Sequence, residues 1–171
     1  NWMSNPDDHE LLRSTWSDDF EVQFDIGSRI YMHLFDGPHG AAARSLFPWI
    51  AQYEAQGIDI SEASEFKIQA LRLIQTIEQA LELVEDAAKL ESYLYKLGRR
   101  HVLYMPRIEP MYWEGFQDSV SAGITARMLT IRNLSAEERT RAIEIWKAMI
   151  NYIFLFVQEG FYDGLMGANK Y

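Results

Sequence analysis

The residues best placed to do chemistry are His101, at the end of the run Leu97-Gly98-Arg99-Arg100-His101, and Gln69, thirty-two residues before it. A neutral imidazole offers one ring nitrogen to a transition metal while a hydrogen bond to the other nitrogen fixes its orientation. A glutamine amide donates an N–H but is a poor iron ligand. A histidine closing one amphipathic helix, with a polar residue in the middle of the helix before it, suits one task. It can hold a flat, metal-bearing cofactor between two helices, coordinated on one side and offered a hydrogen bond on the other. The other three histidines fit this less well: His9 falls in a polar first turn, His39 in a loop, and His33 two positions from Tyr31 and so on another helix face. Each reads as surface or structural. A thioether can also ligate iron, and Met32, Met105 and Met111 are the methionines nearest the expected pocket. At helical spacing, methionine is usually core filler. With no cysteine, disulfides, zinc-thiolate sites and iron–sulfur clusters are excluded, as is covalent cofactor attachment through Cys-x-x-Cys-His.

Helices have to position these residues, and the pattern is helical nearly throughout. Prolines 6, 38, 48, 106 and 110 fall at boundaries, and alternating strand patterns are absent. Asn5-Pro6-Asp7-Asp8 reads as a cap, a first-turn proline and dipole-favourable acids opening a helix through about Phe20. A second helix runs to Phe35 and ends at Asp36-Gly37-Pro38, and a turn-rich segment carries Leu46-Phe47-Pro48-Trp49. From Ser61 to about Leu83, Phe66, Leu73, Ile77 and Leu81 recur at helical spacing. Further helices are expected from about Ala87 to His101, from Pro110 to Met128, and from the capping box Ser135–Glu138 through about Gly160. Seven or eight helices around a common core fit several all-α folds, a four-helix bundle with additions among them.

The 171 residues fit one domain, with no internal repeat or linker, and 48% hydrophobic content supports a folded core. A net charge of −9 argues against nucleic acid and anionic membrane surfaces as partners. No apolar run approaches the roughly 20 residues that span a bilayer. No signal peptide is visible in the first 30 residues, so a cytoplasmic setting is expected.

Four sets of spacings then decide among the all-α folds. Trp16, Gly27, Tyr31 and Phe35 form the first, the last three sharing one helix face. Phe47-Pro48 is a corner phenylalanine, Phe66, Gln69, Leu73 and Ile77 share a face of the long middle helix, and Leu97 with His101 sits inside Tyr93–His101. In order and spacing these resemble the globin family over about Leu11–Val157, nearest in style to neuroglobin and the nematode globins. The resemblance implies a single all-α globin domain, residues 1–171 with short terminal extensions, holding one haem b. It implies His101 as the iron ligand, Tyr31 and Gln69 as hydrogen-bond donors, Phe47 stacked on the porphyrin, and Phe66, Leu73 and Leu97 as walls. Arg72 reads equally as a propionate partner or a solvated arginine, with Arg100 a weaker candidate.

Two features depart from the family pattern: the stretch from Phe35 to Phe47 is about two residues longer than in common globins, and Gln69 stands where neuroglobin-like relatives carry histidine. The implied function is reversible binding of O2, CO or NO for transport, storage or scavenging, rather than catalysis. A haem-based gas or redox sensor with a signalling partner, an enzyme fed by an external reductase, and a haem-free interaction module are the alternatives; a homo-oligomer is compatible with all of them.

Overall fold

The computed structural model describes all residues from 1 to 171, in eight α-helices and two short 3-10 turns with no strand. The helices are α1 (Pro6–Thr15), α2 (Phe20–Asp36), α3 (Gly40–Ser45), α4 (Pro48–Ala55), α5 (Ser64–Leu83), α6 (Ala87–Tyr104), α7 (Pro110–Thr130) and α8 (Ala136–Leu165). Their starts follow local chemistry. Asn5 accepts from the Asp7 amide with Pro6 at the first turn, Asp86 caps α6 through the Lys89 amide, and Ser135 and Glu138 form a reciprocal capping box at α8. These bonds satisfy amides that the helix leaves unpaired.

The first helix stops at Thr15, five residues short of the expected end at Phe20. Trp16 is extended and buried, its indole N–H donating to Glu78 at 3.3 Å and its ring beside Trp146. Asp19 then accepts from the amides of Glu21 and Val22 and starts α2 at Phe20. The turn-rich segment expected around Leu46–Trp49 is the junction between two short helices, with Phe47 just before Pro48 opens α4. Three further residues, to Tyr104, extend α6 past His101, and α8 continues to Leu165 rather than Gly160.

One hydrophobic cluster spans the chain from Leu12 to Phe161. The packing is divided: α5 lies chiefly against α2, while α6 lies chiefly along α8, with α7 between α2 and α8. Consequently α5 and α6 meet each other only sparsely. The buried stripe of α5 is Phe66, Ala70, Ile74, Ile77, Ala80 and Leu81. Leu73, expected on that stripe, is half-buried at its edge. At the crossing of α2 and α5, a Cβ on Gly27 would lie 2.9 Å from the Ala70 carbonyl oxygen. At the crossing of α6 and α8 the approach is closer. A Cβ on Gly98 would overlap the Val157 carbonyl, and one on Gly160 would overlap the Tyr95 carbonyl.

Because backbone atoms rather than flexible side chains oppose those two glycines, the helices must move apart to admit a methyl group. Gly98→Ala and Gly160→Ala should each cost about 2–3 kcal/mol, the upper range for overpacking a close-packed core. Gly57 is a control: it is exposed with open space around it, and only its φ of +71° penalises a side chain, so Gly57→Ala should cost about 1 kcal/mol. Urea unfolding midpoints at unchanged slope measure all three.

Candidate functional site between α5, α6 and α7

His101 sits in the last turn of α6, half-buried, one turn beyond Leu97 and next to the Gly98 crossing. Its Nδ1 lies 2.8 Å from the Leu97 carbonyl oxygen. A carbonyl can only accept, so Nδ1 carries the proton and donates. That fixes the tautomer with the lone pair on Nε2, the arrangement that metal-binding imidazoles adopt. Burial, and secondarily the neighbouring Arg100 charge, push the imidazole below the ordinary histidine range, against the opposing effect of the Leu97 bond. The ring is therefore neutral at pH 7, as a ligand must be. Trp113 of α7 meets the imidazole edge-on at 5.9 Å.

On the opposite side, Tyr31 from α2 is 5% exposed and packs edge-on against Phe66 of α5 at 6.4 Å. It is tilted against Phe35 at 6.0 Å and against Phe116 of α7 at 5.4 Å. Its hydroxyl has no hydrogen-bond partner: burial raises its pKa strongly, and the only opposing influence is the charge of Arg72. Tyr31 is therefore protonated and a donor across the physiological range. Gln69 is half-buried on α5, one residue before Ala70 at the Gly27 crossing, and Arg72 is exposed on the same helix. Phe47 is buried at the α3–α4 corner, edge-on to Phe35 at 5.5 Å.

Thus Tyr31, Phe66, Phe35 and Phe47 form one connected aromatic group. Gln69, Leu73, Leu97 and His101 lie on two helices that barely touch, each half-buried. Arg72 reaches the group through the field it exerts on Tyr31. The set fits a flat, largely apolar guest with a metal. An imidazole presents a free Nε2, the hydroxyl of a buried tyrosine ring makes no hydrogen bond within the protein, and Leu73 and Leu97 stop short of full burial.

The remaining histidines lie on other helices or loops. His33 Nδ1 is 2.9 Å from the Ser119 hydroxyl, His39 lies against Gly115, and His9 is 4% exposed within α1. Met111 is half-exposed at the start of α7. Three aromatic residues of α7 were missed from the sequence: Tyr112, Trp113 and Phe116, which link the His101 side to the Tyr31 side. Their signal was present as an i, i+4 aromatic pair immediately after a helix-starting proline.

The globin family model matches residues 28–153, and the chain belongs to the globin family. It is 28% identical over 97 residues to the globin-related protein glb-13 of Caenorhabditis elegans. That match covers 56% of this chain and 32% of the relative, so the chain spans about a third of the length of the curated relative it matches. A solved structure described as a hexacoordinated heme protein from an anhydrobiotic tardigrade superposes with a TM-score of 0.72 at 21% identity, over 92% of this chain and 95% of the other. No helix is long and apolar enough to cross a membrane.

Proposed function

We propose that this globin binds haem b between α5 and α6 and, through it, reversibly binds a diatomic gas, the chain acting as one domain. The observation that carries this is the His101–Leu97 hydrogen bond, which leaves the Nε2 lone pair free to serve as an iron ligand. When bound, ferrous haem supplies an iron able to take O2, CO or NO. The protein supplies the rest. His101 holds the metal, Phe47, Phe66, Leu73 and Leu97 exclude water, and Tyr31 and Gln69 donate hydrogen bonds to the gas. Arg72 meets a propionate while its charge reaches Tyr31. The family membership and the haem protein among its structural relatives support this reading.

Within it, O2 transport, storage or scavenging in the cytoplasm is the reading favoured here over enzymatic turnover. A second reading, a haem-based gas or redox sensor, gains support from the curated relative, in which the matched stretch is 32% of the length.

Haem retention should depend on His101. His101→Ala removes the one bond from protein to iron and should purify mostly as apoprotein, with imidazole in the buffer partly restoring the absorption spectrum. His9, His33 and His39 substitutions should leave the spectrum nearly unchanged. A wild-type spectrum in His101→Ala would overturn the ligand assignment.

Ferrous protein without added gas should be five-coordinate, unlike the hexacoordinated relative, because Gln69 offers no strong iron ligand. The paired, sharp visible bands of low-spin haem in a dithionite-reduced sample would contradict this.

Oxygen should leave slowly, held mainly by Tyr31. A buried hydrogen bond to a partly charged ligand contributes on the order of 1 kcal/mol or more, so Tyr31→Phe should speed O2 dissociation about five- to a hundredfold. Stopped-flow displacement of O2 by CO measures this, and an unchanged rate with haem fully bound would place the Tyr31 hydroxyl outside the ligand's reach.

A further inference from the structure

Beyond α8 the chain turns back toward α6. Gly167, at a φ of +72°, makes the turn, and the Ala168 amide donates to the Asp163 carbonyl at 2.8 Å. A glycine in this conformation is the usual stop after a helix. The residues that follow return to Tyr95. The Lys170 amide donates to the Tyr95 hydroxyl at 2.9 Å, and that hydroxyl donates to Asp163 Oδ2 at 2.6 Å. The Tyr171 ring meets the Tyr95 ring edge-on at 5.2 Å, and Lys170 Nζ pairs with Glu159 at 3.0 Å. Tyr95 is fully buried. By accepting one hydrogen bond while donating another, its oxygen ties α6 both to α8 and to the segment after it.

The crossing beneath this tie decides what the tie adds. Backbone meets backbone there: a Cβ on Gly160 would overlap the Tyr95 carbonyl, and one on Gly98 the Val157 carbonyl. A Cβ on Gly164 would lie 2.8 Å from Val102 Cγ2, on the residue after His101. Helices locate one another by seating side-chain ridges in grooves. A face lined by glycines lacks those ridges, so it resists approach more than it resists sliding. The Tyr95 hydroxyl supplies the missing grip along the interface. His101 follows six residues later on the same helix, about 9 Å along its axis, so a slide at Tyr95 is carried to the imidazole.

We propose that Tyr95 is a positioning residue for His101: residues 168–171 clamp it to α8, and the clamp fixes where along α8 the imidazole stands. This rests on His101 being the iron ligand. The Leu97 bond sets the tautomer of the ring, whereas the clamp sets the place of the helix that carries it. A helix free to slide presents its imidazole at a spread of positions, and the bond to a metal varies across that spread. A clamped helix presents one position, as outer contacts around a metal ligand commonly do.

The test uses the full chain as wild type, Tyr95→Phe, Tyr171→Ala and Gly57→Ala, the last a destabilised control far from the crossing in sequence. Two quantities are read. One is hydrogen exchange at the Lys170 amide, in haem-free and haem-loaded protein. The other is the iron–imidazole stretching band just after CO photolysis, when the iron is five-coordinate. Tyr95→Phe keeps the ring and removes both hydroxyl bonds. It should speed Lys170 exchange about five- to tenfold and shift and broaden the stretching band. Tyr171→Ala should move both readings in the same directions, and it carries the test if Tyr95→Phe does not fold. Gly57→Ala should move neither. Faster Lys170 exchange with an unmoved band would show that the clamp holds only itself, and a band moved equally by Gly57→Ala would assign the effect to lost stability. Unchanged Lys170 exchange would show that Tyr95 does not hold the segment. Each of these overturns the proposal while leaving His101 as ligand. If His101→Ala keeps the wild-type haem spectrum, the ligand reading falls and this proposal falls with it.

Discussion

Where α6 crosses α8, no room remains for even one carbon beyond the backbone, because Gly98 meets the Val157 carbonyl and Gly160 meets that of Tyr95. Glycines on both helices allow this approach. The consequence reaches the site directly. With Gly98 fixed on α8, Leu97 and His101 are carried on the remaining surface of α6, away from the crossing and half-buried. The Gly27 crossing does the same for α5, seating Ala70 against α2 and leaving Gln69 at its edge. Each of the two helices is anchored to a different partner, so they need not close on each other. The sparse contact between them follows from how tightly they pack elsewhere.

Much of this was legible in the sequence because it is written in local patterns. The capping box at Ser135–Glu138, the prolines opening α1, α4 and α7, and the helical recurrence along α5 all act within a few residues. The failures fall where distant contacts override such patterns. Trp16 leaves α1 because Glu78 and Trp146, more than sixty residues away in sequence, receive its side chain. Leu73 has a core residue's type but lies at the edge of the buried stripe, since α2 crosses α5 nearer Ala70 and Ile74. No periodicity argument can say which edge of an apolar face a neighbouring helix will cover.

The site divides in the same way. His101, Tyr31, Gln69 and Phe47 could be singled out because each stands at a fixed spacing from a glycine, a proline or another aromatic residue on its own helix. Tyr112, Trp113 and Phe116 have equally suggestive spacing, but an aromatic pair after a proline is far more often plain core. What distinguishes them is contact: Trp113 with His101, and Phe116 with Tyr31. Those contacts exist only once α7 is placed between α2 and α8.

The balance of polar and apolar groups around Tyr31 carries the last step. Aromatic and aliphatic walls exclude water, which strengthens any hydrogen bond made inside and makes any unmade one costly. Burial also keeps the Tyr31 proton in place: its strongly raised pKa, only partly offset by the Arg72 charge, leaves the hydroxyl a donor at every physiological pH. A donor that cannot ionise, in a space with little water to compete, favours ligands that develop negative charge on an outer atom. O2 on ferrous haem does so and CO does so much less. On the proposed function, discrimination between two diatomics of nearly equal size would come from where a proton is fixed rather than from steric fit, with the apolar residues around it keeping the dielectric low.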